Sequence, residues 1–299
     1  MTAASGLVIV DKPAGLTSHD VVARIRRLAG TRRVGHAGTL DPMATGVLVT
    51  GVEKATRLLG HLALTEKEYL ATIRLGQATD TGDAEGTVVA EGTVVSAASA
   101  ADLTLAAVQA AAAALTGEIR QVPPAVSAIK VGGRRAYQLA REGRAPDLPA
   151  RAVTVYEFTI SDPRPAGPAG LLDVTAAVRC SSGTYVRALA RDLGESLGVG
   201  GHLTMLRRTR VGPYDLSQAS GLDELAAGLR VVPLAEAAAA AFPVRPLTGA
   251  EADSLSHGAS LSPAGAGPGP VAALAPDGTL VALVEERDGK ARPLAVFVP

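Results

Sequence analysis

The sequence contains few of the residues that mark particular protein classes. Among 299 residues there is no tryptophan, one cysteine, five tyrosines and three phenylalanines. The single cysteine, Cys180, excludes an internal disulfide bond, and we expect a reducing compartment. The five histidines lie far apart without zinc-ligand spacing, so we expect no metal. No stretch approaches about 18 consecutive apolar residues and no signal-peptide pattern is present, which predicts a cytoplasmic protein without a membrane segment.

The sequence also lacks net charge. Lysine and arginine together number 29, as do aspartate and glutamate, whereas nucleic-acid-binding domains are usually basic. Acidic residues concentrate at 80–91 and in the last third of the chain. The basic residues form three local clusters: Arg24, Arg26, Arg27, Arg32 and Arg33; Lys130, Arg134, Arg135, Arg141, Arg144 and Arg151; and Arg207, Arg208 and Arg210. Because charged stretches are usually solvated faces, these clusters alone do not show that the protein binds nucleic acid.

The chain is rich in small aliphatic residues. Hydrophobic residues make up 47% of it, enough for a sizeable core at this length. Alternating patterns and apolar runs predict strands at 6–10, 47–50, 66–75, 151–160, 171–180, 203–211, 271–274, 280–285 and 293–298. Helical spacing and capping residues predict helices near 17–30, 54–62, 103–115, 184–197, 222–227, 233–241 and 248–257. This irregular order indicates an α+β fold with a mixed, largely antiparallel sheet.

The most informative stretch is V-G-H-A-G-T-L-D-P-M-A-T-G at 34–46. Its glycines permit positive φ and close approach of a ligand, and Pro42 stiffens the chain after Asp41. A carboxylate held in such a turn can act as a nucleophile, a general base or a metal ligand. An aspartate before proline is, however, most often an ordinary turn residue.

Two further segments are polar or stiff. The stretch 76–86 is rich in turn residues, and its Asp80 and Asp83 can organise backbone amides or basic side chains. It does not fit a calcium loop of the EF-hand type, because the terminal bidentate glutamate is not at the required distance. The segment 121–133 is extended and proline-stiffened, and we expect it to lead into a helix containing Tyr137 and Leu139.

Several of these segments, in their order along the chain, resemble one family. The residues 35–46 resemble the catalytic motif of the TruB-type tRNA pseudouridine-55 synthases. The resemblance extends to V-D-K-P at 10–13, R-L-G-Q at 74–77, T-D-T-G-D at 79–83, P-P-A-V-S-A-I-K at 123–130 and C-S-S-G-T-Y-V-R at 180–187. It implies a catalytic domain with the pseudouridine-synthase fold at 1–241, with a candidate RNA-gripping insertion at about 118–151. It also implies a small PUA-like β-barrel that binds RNA at 242–299.

The resemblance implies an enzyme that isomerises uridine to pseudouridine at position 55 in the T-loop of tRNA. A uridine inside a folded loop must be extruded before its glycosidic bond can be reached. The isomerisation breaks the C1′–N1 bond, rotates the base and joins C5 to C1′ without any redox change, so we expect no cofactor. The expected partner is tRNA, and we expect a monomer.

The resemblance also assigns roles to residues. Asp41 is the catalytic carboxylate, acting as nucleophile on the ribose or as proton-transfer base. Tyr69 stacks on the flipped uracil and offers a phenol for proton transfer. Arg187 pairs with Asp41, because a nearby cation favours an ionised and oriented carboxylate. Substrate-binding or pocket-shaping roles fall on His36, Lys12, Leu206, Tyr185, Asp83 and Lys130.

Two other functions compete with this interpretation. A non-catalytic RNA-folding factor would flip and release the T-loop without chemistry, and it would not need Asp41. A carboxylate-based glycosidase needs two acids that flank the bond. No second acid accompanies Asp41 in its motif, because Asp80 and Asp83 belong to a separate polar loop.

Overall fold

The computed structural model of the protein describes residues 4–89, 100–127, 130–131, 134–135, 142, 148–167 and 170–298. The predicted helix with Tyr137 and Leu139 lies outside the described residues. The chain divides into two compact units. The first comprises Met1–Pro42, Gly46–Thr65 and Arg210–Pro299, and the second Met43–Thr45 and Glu66–Thr209.

The described elements follow the predicted order closely. The strands are β1 (Gly6–Lys12), β2 (Val34–His36), β3 (Thr45–Val52), β4 (Lys67–Leu75), β5 (Gly117–Gln121), β6 (Lys130–Val131), β7 (Arg134–Arg135), β8 (Arg151–Ala166), β9 (Leu171–Cys180), β10 (Gly201–Val211), β11 (Tyr214–Asp215), β12 (Val232–Pro233), β13 (Val244–Pro246), β14 (Pro270–Leu274), β15 (Leu280–Arg287) and β16 (Lys290–Val296). The helices are α1 (Ser18–Ala29), α2 (Leu59–Leu62), α3 (Leu105–Ala114), α4 (Val186–Ser196), α5 (Leu222–Ala227), α6 (Leu234–Ala241) and α7 (Gly249–Ser256). The helix predicted at 54–62 is instead a 3₁₀ turn, Glu53–Arg57, followed by the short α2.

In the first unit, β1 is the central strand. It pairs antiparallel with β12 on one side and with β3 on the other, and β2 also pairs antiparallel with β3. Helix α1 follows β1 and begins at a capping box, in which Thr17 and Asp20 each bond to the other's backbone N–H. Gly30, with φ 64°, ends the helix in the left-handed region. Val21, Val22 and Ile25 are buried, whereas Leu28, which helical spacing predicts to be buried, is 36% exposed.

The last part of the first unit carries a second sheet. Its strand order is β13-β14-β15-β16, with β13 and β14 parallel and the other pairs antiparallel. Within the described residues this sheet is open, because β13 and β16 form its edges, and the predicted PUA-like barrel is therefore not closed. Strand β13 spans three residues, and closing a barrel requires enough tilted strands to return to the first.

One hydrophobic core joins both ends of the first unit. Leu7 and Val49 from the N-terminal strands cluster with Phe242, Leu283 and Phe297 from the last sixty residues. Apolar side chains of 242–299 are thus removed from water by the same core that supports β1 and β3. The predicted functional boundary between 241 and 242 remains a prediction.

The second unit contains strands in the order β10-β4-β9-β8-β5, in which the pairs β4–β9, β8–β9 and β5–β8 are antiparallel. Ala71, Ile73 and Leu75 are fully buried on one face of β4, as the alternating pattern predicts. Helix α3 packs on β8, and α4 packs on α3 and β4. The predicted loop at 162–170 is wrong at its start, because β8 continues to Ala166 with a register shift against β9. Among the described residues, no helix has the length and apolar character needed to cross a membrane.

Candidate active site

Asp41 lies in the loop between β2 and β3 and belongs to the first unit. His36 ends β2, and the chain then passes through Gly38 with φ 87° before Asp41 and reaches Gly46 with φ 98°. Both angles favour glycine, since a side chain would be strained there. Asp41 is half-buried. The sequence therefore places this carboxylate in a shaped turn, where it is neither sequestered in the core nor fully solvated.

The backbone on both sides of Asp41 is tied to the segment that connects β1 to α1. The Oγ of Ser18 accepts a hydrogen bond from the Leu40 N–H at 2.9 Å and donates to the Leu40 carbonyl at 3.2 Å. On the other side of Asp41, the Pro42 carbonyl accepts from the Gly15 N–H at 2.8 Å and from Lys12 Nζ at 3.1 Å. The loop that carries the carboxylate is therefore held at both flanks.

Lys12 is a fully buried cation, with an exposed fraction of 0%. Its Nζ donates to the carbonyls of Pro13 at 3.0 Å and Leu16 at 2.7 Å, besides that of Pro42. Carbonyl oxygens thus replace water around this ammonium group, as a buried charge requires. Lys12 therefore shapes the loops around Asp41.

His36 lies edge-on against a second imidazole. The ring of His19, from the first turn of α1, stands at 5.6 Å from that of His36 with an interplanar angle of 83°. His19 is exposed and His36 is half-buried. This T-shaped arrangement is a preferred geometry for ring pairs.

In the second unit, Arg187 and Asp83 form a buried ion pair. Both side chains are at most 5% exposed, and Arg187 Nε lies 3.6 Å from Asp83 Oδ2. The Asp83 carboxylate also accepts from Thr81 Oγ1 at 2.6 Å and from the Glu85 N–H at 3.1 Å. Arg187 donates to the carbonyls of Thr81 at 2.7 Å and Val126 at 2.9 Å. The guanidinium group is thus oriented by the polar loop that carries Asp83 and by the segment that precedes residue 130.

Arg187 belongs to the first turn of α4, earlier in the helix than predicted. The helix begins at Val186 because Tyr185 still has extended backbone, with φ −102° and ψ 110°. The buried amide of Gln121 compensates for the lack of a capping side chain. It accepts from the Tyr185 N–H at 2.8 Å and donates to the Tyr185 carbonyl at 3.1 Å.

Strand β4 carries Tyr69 two residues after a buried lysine. Tyr69 is half-buried and pairs in register with Val178. Lys67, which points to the same face of the strand, is 6% exposed. Burial, and then the nearby Arg208 guanidinium, lower the pKa of Lys67 to about 8, while burial raises the pKa of the neighbouring Cys180 thiol to about 11. Leu206 is 6% exposed on β10.

The predicted site residues fall into two sets. Lys12, His36 and Asp41 belong to the first unit, whereas Tyr69, Asp83, Tyr185, Arg187 and Leu206 belong to the second. The pairing of Arg187 with Asp41 stays a prediction. Lys130 is the first residue of β6, which pairs with β7, and the structure describes its backbone but not its side chain. Among the described residues, no group of three or more His, Cys, Asp or Glu side chains is arranged to hold a metal ion.

The sequence gives little signal for two residues that organise these sets. Ser18 reads as an alternative helix cap, and Gln121 as a polar residue before two prolines. Both are at most 2% exposed. For Ser18, the only indication in the sequence is a hydroxyl at the start of a predicted helix, shortly after the V-D-K-P segment at 10–13. Nothing in the sequence indicates the contact of Gln121 with Tyr185.

Family models match nearly the whole chain. Residues 26–186 match the model described as TruB family pseudouridylate synthase (N terminal domain). Residues 187–237 match the tRNA pseudouridylate synthase B C-terminal domain, and residues 242–298 match tRNA Pseudouridine synthase II, C terminal.

Similar proteins cover the same length. A protein of Thermobifida fusca (strain YX) named tRNA pseudouridine synthase B is 63% identical over 98% of this chain and 99% of its own. One of the same name from Arthrobacter sp. (strain FB24) is 58% identical over 99% of this chain and 97% of its own.

Among solved structures, a chain of the Cbf5-Nop10-Gar1 complex aligns with TM-score 0.71 and 28% identity, over 98% of this chain and 85% of that chain. A chain of the archaeal box H/ACA sRNP Nop10-Cbf5 complex aligns with TM-score 0.70 and 27% identity, over 100% of this chain and 88% of that chain. The predicted α+β, pseudouridine-synthase fold is confirmed. Family model and full-length identity together show that the chain belongs to the TruB family of pseudouridylate synthases.

Proposed function

We propose that the protein isomerises uridine to pseudouridine at position 55 in the T-loop of tRNA. The observation that carries this proposal is the complete motif at 35–46 in a chain that is 63% identical, over almost its full length, to a protein named tRNA pseudouridine synthase B. The held backbone around Asp41 adds support, because a reactive group needs a fixed position.

The proposed chemistry needs only the chain's own residues. The target nucleotide is flipped out of the T-loop, the C1′–N1 bond breaks, the base rotates, and C5 bonds to C1′. Atoms and electrons balance within the substrate, so we propose that the reaction uses neither a cofactor nor a metal. Asp41 attacks the ribose or transfers a proton, and Tyr69 stacks on the uracil and moves a proton through its phenol.

Arg187 is proposed to pair with Asp41 and to orient its carboxylate. The support is that its guanidinium is buried and held by Asp83 and by the carbonyls of Thr81 and Val126. A cation fixed in this way costs no reorganisation during the reaction. The other proposed substrate-binding or pocket-shaping residues are His36, Lys12, Leu206, Tyr185, Asp83 and Lys130.

The proposed partner is tRNA, bound by a cytoplasmic monomer. We assign the grip on RNA to the insertion at about 118–151 within the catalytic domain 1–241, and to the module at 242–299. Arg134, Arg135 and Lys130 are described only as backbone, and Arg141 and Arg144 lie outside the described residues. The salt dependence of tRNA binding therefore tests their contribution.

The decisive experiment incubates the purified chain with an unmodified tRNA transcript and maps pseudouridine by nucleotide. We expect modification at position 55 and none in a transcript with cytidine there. Asp41→Asn keeps the size of the side chain but removes its charge, so we expect turnover to be lost while tRNA binding remains nearly intact. If Asp41→Asn keeps about a tenth of the turnover or more, the role of Asp41 is wrong.

The same experiment separates the competing functions. An RNA-folding factor would leave the uridine unchanged and would act equally well as Asp41→Asn. A glycosidase would release free uracil and leave an abasic site, which mass spectrometry of the digested tRNA detects. Pseudouridine at another position would retain the isomerase activity and refute the choice of position 55.

A further inference from the structure

We propose that Ser18 is a positioning residue, whose hydroxyl holds the backbone of Leu40 and thereby fixes the place of the Asp41 carboxylate. This inference rests on the proposed function, in which Asp41 reacts with the substrate. Ser18 itself does not touch the substrate and acts through the loop that it holds.

The geometry around Ser18 is that of a single clamp on one residue. Its side chain is 2% exposed, and its Oγ lies 2.9 Å from the Leu40 nitrogen and 3.2 Å from the Leu40 oxygen. A serine hydroxyl can donate its one proton while accepting another. One side chain therefore binds both backbone polar groups of the residue that directly precedes Asp41.

The residues that hold the Asp41 loop are themselves fixed by hydrogen bonds. Ser18 is the first residue of α1, and its neighbour Thr17 caps the helix in a reciprocal box with Asp20. On the far side of Asp41, the Pro42 carbonyl is held by the Gly15 N–H and by Lys12 Nζ. The backbone on each side of Asp41 is thus hydrogen-bonded to groups that belong to residues 12–18.

The Ser18 anchor is the one that a small substitution can release alone. Ser18→Ala removes both bonds to Leu40 and leaves the Thr17 cap and the Pro42 bonds in place. The chain after His36 contains Gly38 in the left-handed region, so the released segment can move easily. Because a displacement of about 1 Å can slow a reaction about 100-fold, we expect Ser18→Ala to lower the single-turnover rate by roughly 10- to 100-fold.

The test compares Ser18→Ala with Thr17→Ala in the full-length protein, using a tRNA transcript at saturating enzyme. Thr17→Ala weakens the same helix by removing its cap but leaves the hydroxyl of Ser18 in place. Both variants should bind tRNA within about twofold of the wild type, and only Ser18→Ala should react slowly. A normal rate in folded Ser18→Ala overturns the proposal, as does an equal loss in Thr17→Ala.

Amide hydrogen exchange tests the contact between Ser18 and Leu40 directly. In Ser18→Ala the Leu40 amide should exchange faster, while the amides of Val21 and Val22 inside α1 keep their protection. If Ser18→Ala does not stay folded, Ser18→Thr decides, since it keeps the hydroxyl. A folded Ser18→Thr with a protected Leu40 amide should react within about threefold of the wild type, and a larger loss overturns the proposal.

Failure of this inference is distinct from failure of the proposed function. If Asp41→Asn is inactive and Ser18→Ala is as fast as the wild type, only the role of Ser18 is refuted. If Asp41→Asn remains active, the catalytic role of Asp41 is refuted first, and the positioning role of Ser18 is refuted with it.

Discussion

Lys67 is a buried cation beside another cation, and we predict that its charge destabilises the folded protein at neutral pH. Its side chain is 6% exposed and lies near Arg208, which is 1% exposed. Burial and this neighbour lower the pKa of Lys67 from its usual 10.5 to about 8. Replacing the ammonium by an uncharged side chain of similar length, as in Lys67→Met, should therefore raise the free energy of unfolding.

The size and sign of this effect follow from the pKa shift. Between pH 8 and pH 10.5 the unfolded chain holds a proton on Lys67 that the folded protein has lost. Stability of the wild type with respect to this group therefore rises with pH across that window. Below it, Lys67 is protonated in both states, and the full penalty for the buried charge remains. The shift corresponds to roughly 3 kcal/mol, so we expect Lys67→Met to be more stable by about 1 to 3 kcal/mol at pH 7.

The assay is urea unfolding of wild type and variant at several pH values between 7 and 10.5. The difference between the two proteins removes the contributions of titrating groups that do not interact with Lys67, and it should shrink as pH rises through the window. Lys54→Met is the matched control, because Lys54 is exposed and its replacement removes no buried charge. A Lys67→Met difference that is equal at pH 7 and pH 10 would refute the reasoning.

Lys67 also links stability to function. It precedes Tyr69 by two residues on the same face of β4, and costly buried charges concentrate at functional sites. If Lys67→Met is more stable but turns over tRNA more slowly, the buried ammonium group is needed for activity although it lowers the stability of the fold.

Four further predictions concern the site and the grip on RNA. Tyr69→Phe deletes only the hydroxyl, so single-turnover kinetics should show a large loss of rate with tRNA affinity kept, and equal losses would indicate a binding role. Asp83→Asn should lower the free energy of urea unfolding by about 3 kcal/mol because it removes the carboxylate of a buried ion pair. Asp173→Asn, which breaks the partly exposed bridge to Arg74, should cost about 1 kcal/mol or less. Similar losses in the two variants would refute the difference. Gln121→Ala removes both bonds to Tyr185 and should cost about 1 to 3 kcal/mol in urea unfolding, more than Gln109→Ala, which removes one bond to the Ile160 carbonyl. Replacing Arg134, Arg135, Arg141 and Arg144 together by alanine should leave turnover at saturating tRNA unchanged. It should flatten the dependence of log tRNA affinity on log salt concentration by about two to four units. An unchanged slope would assign the grip on RNA to another basic cluster.

Much of the fold was predictable because its elements carry local signals. Thr17, Asp20 and Gly30 encode the ends of α1 through capping, which is settled within a few residues. Alternation along β4 and β9 predicts their buried faces, since alternate residues of each strand are removed from water. Predictions failed where tertiary contacts override local preference. Strand β8 continues through 162–166 because β9 offers a partner there, although Pro163 and Pro165 favour a loop.

By itself, the sequence determined the family and predicted the reactive groups, because the motif at 35–46 and its companions are short, ordered and chemically specific. It did not determine which groups hold them. The bonds between Ser18 and Leu40, the bond from Lys12 Nζ to the Pro42 carbonyl, and the bonds between the Gln121 amide and Tyr185 join residues 22, 30 and 64 positions apart. No local pattern encodes such pairs, because a buried polar group finds its partner only after the chain has folded around it.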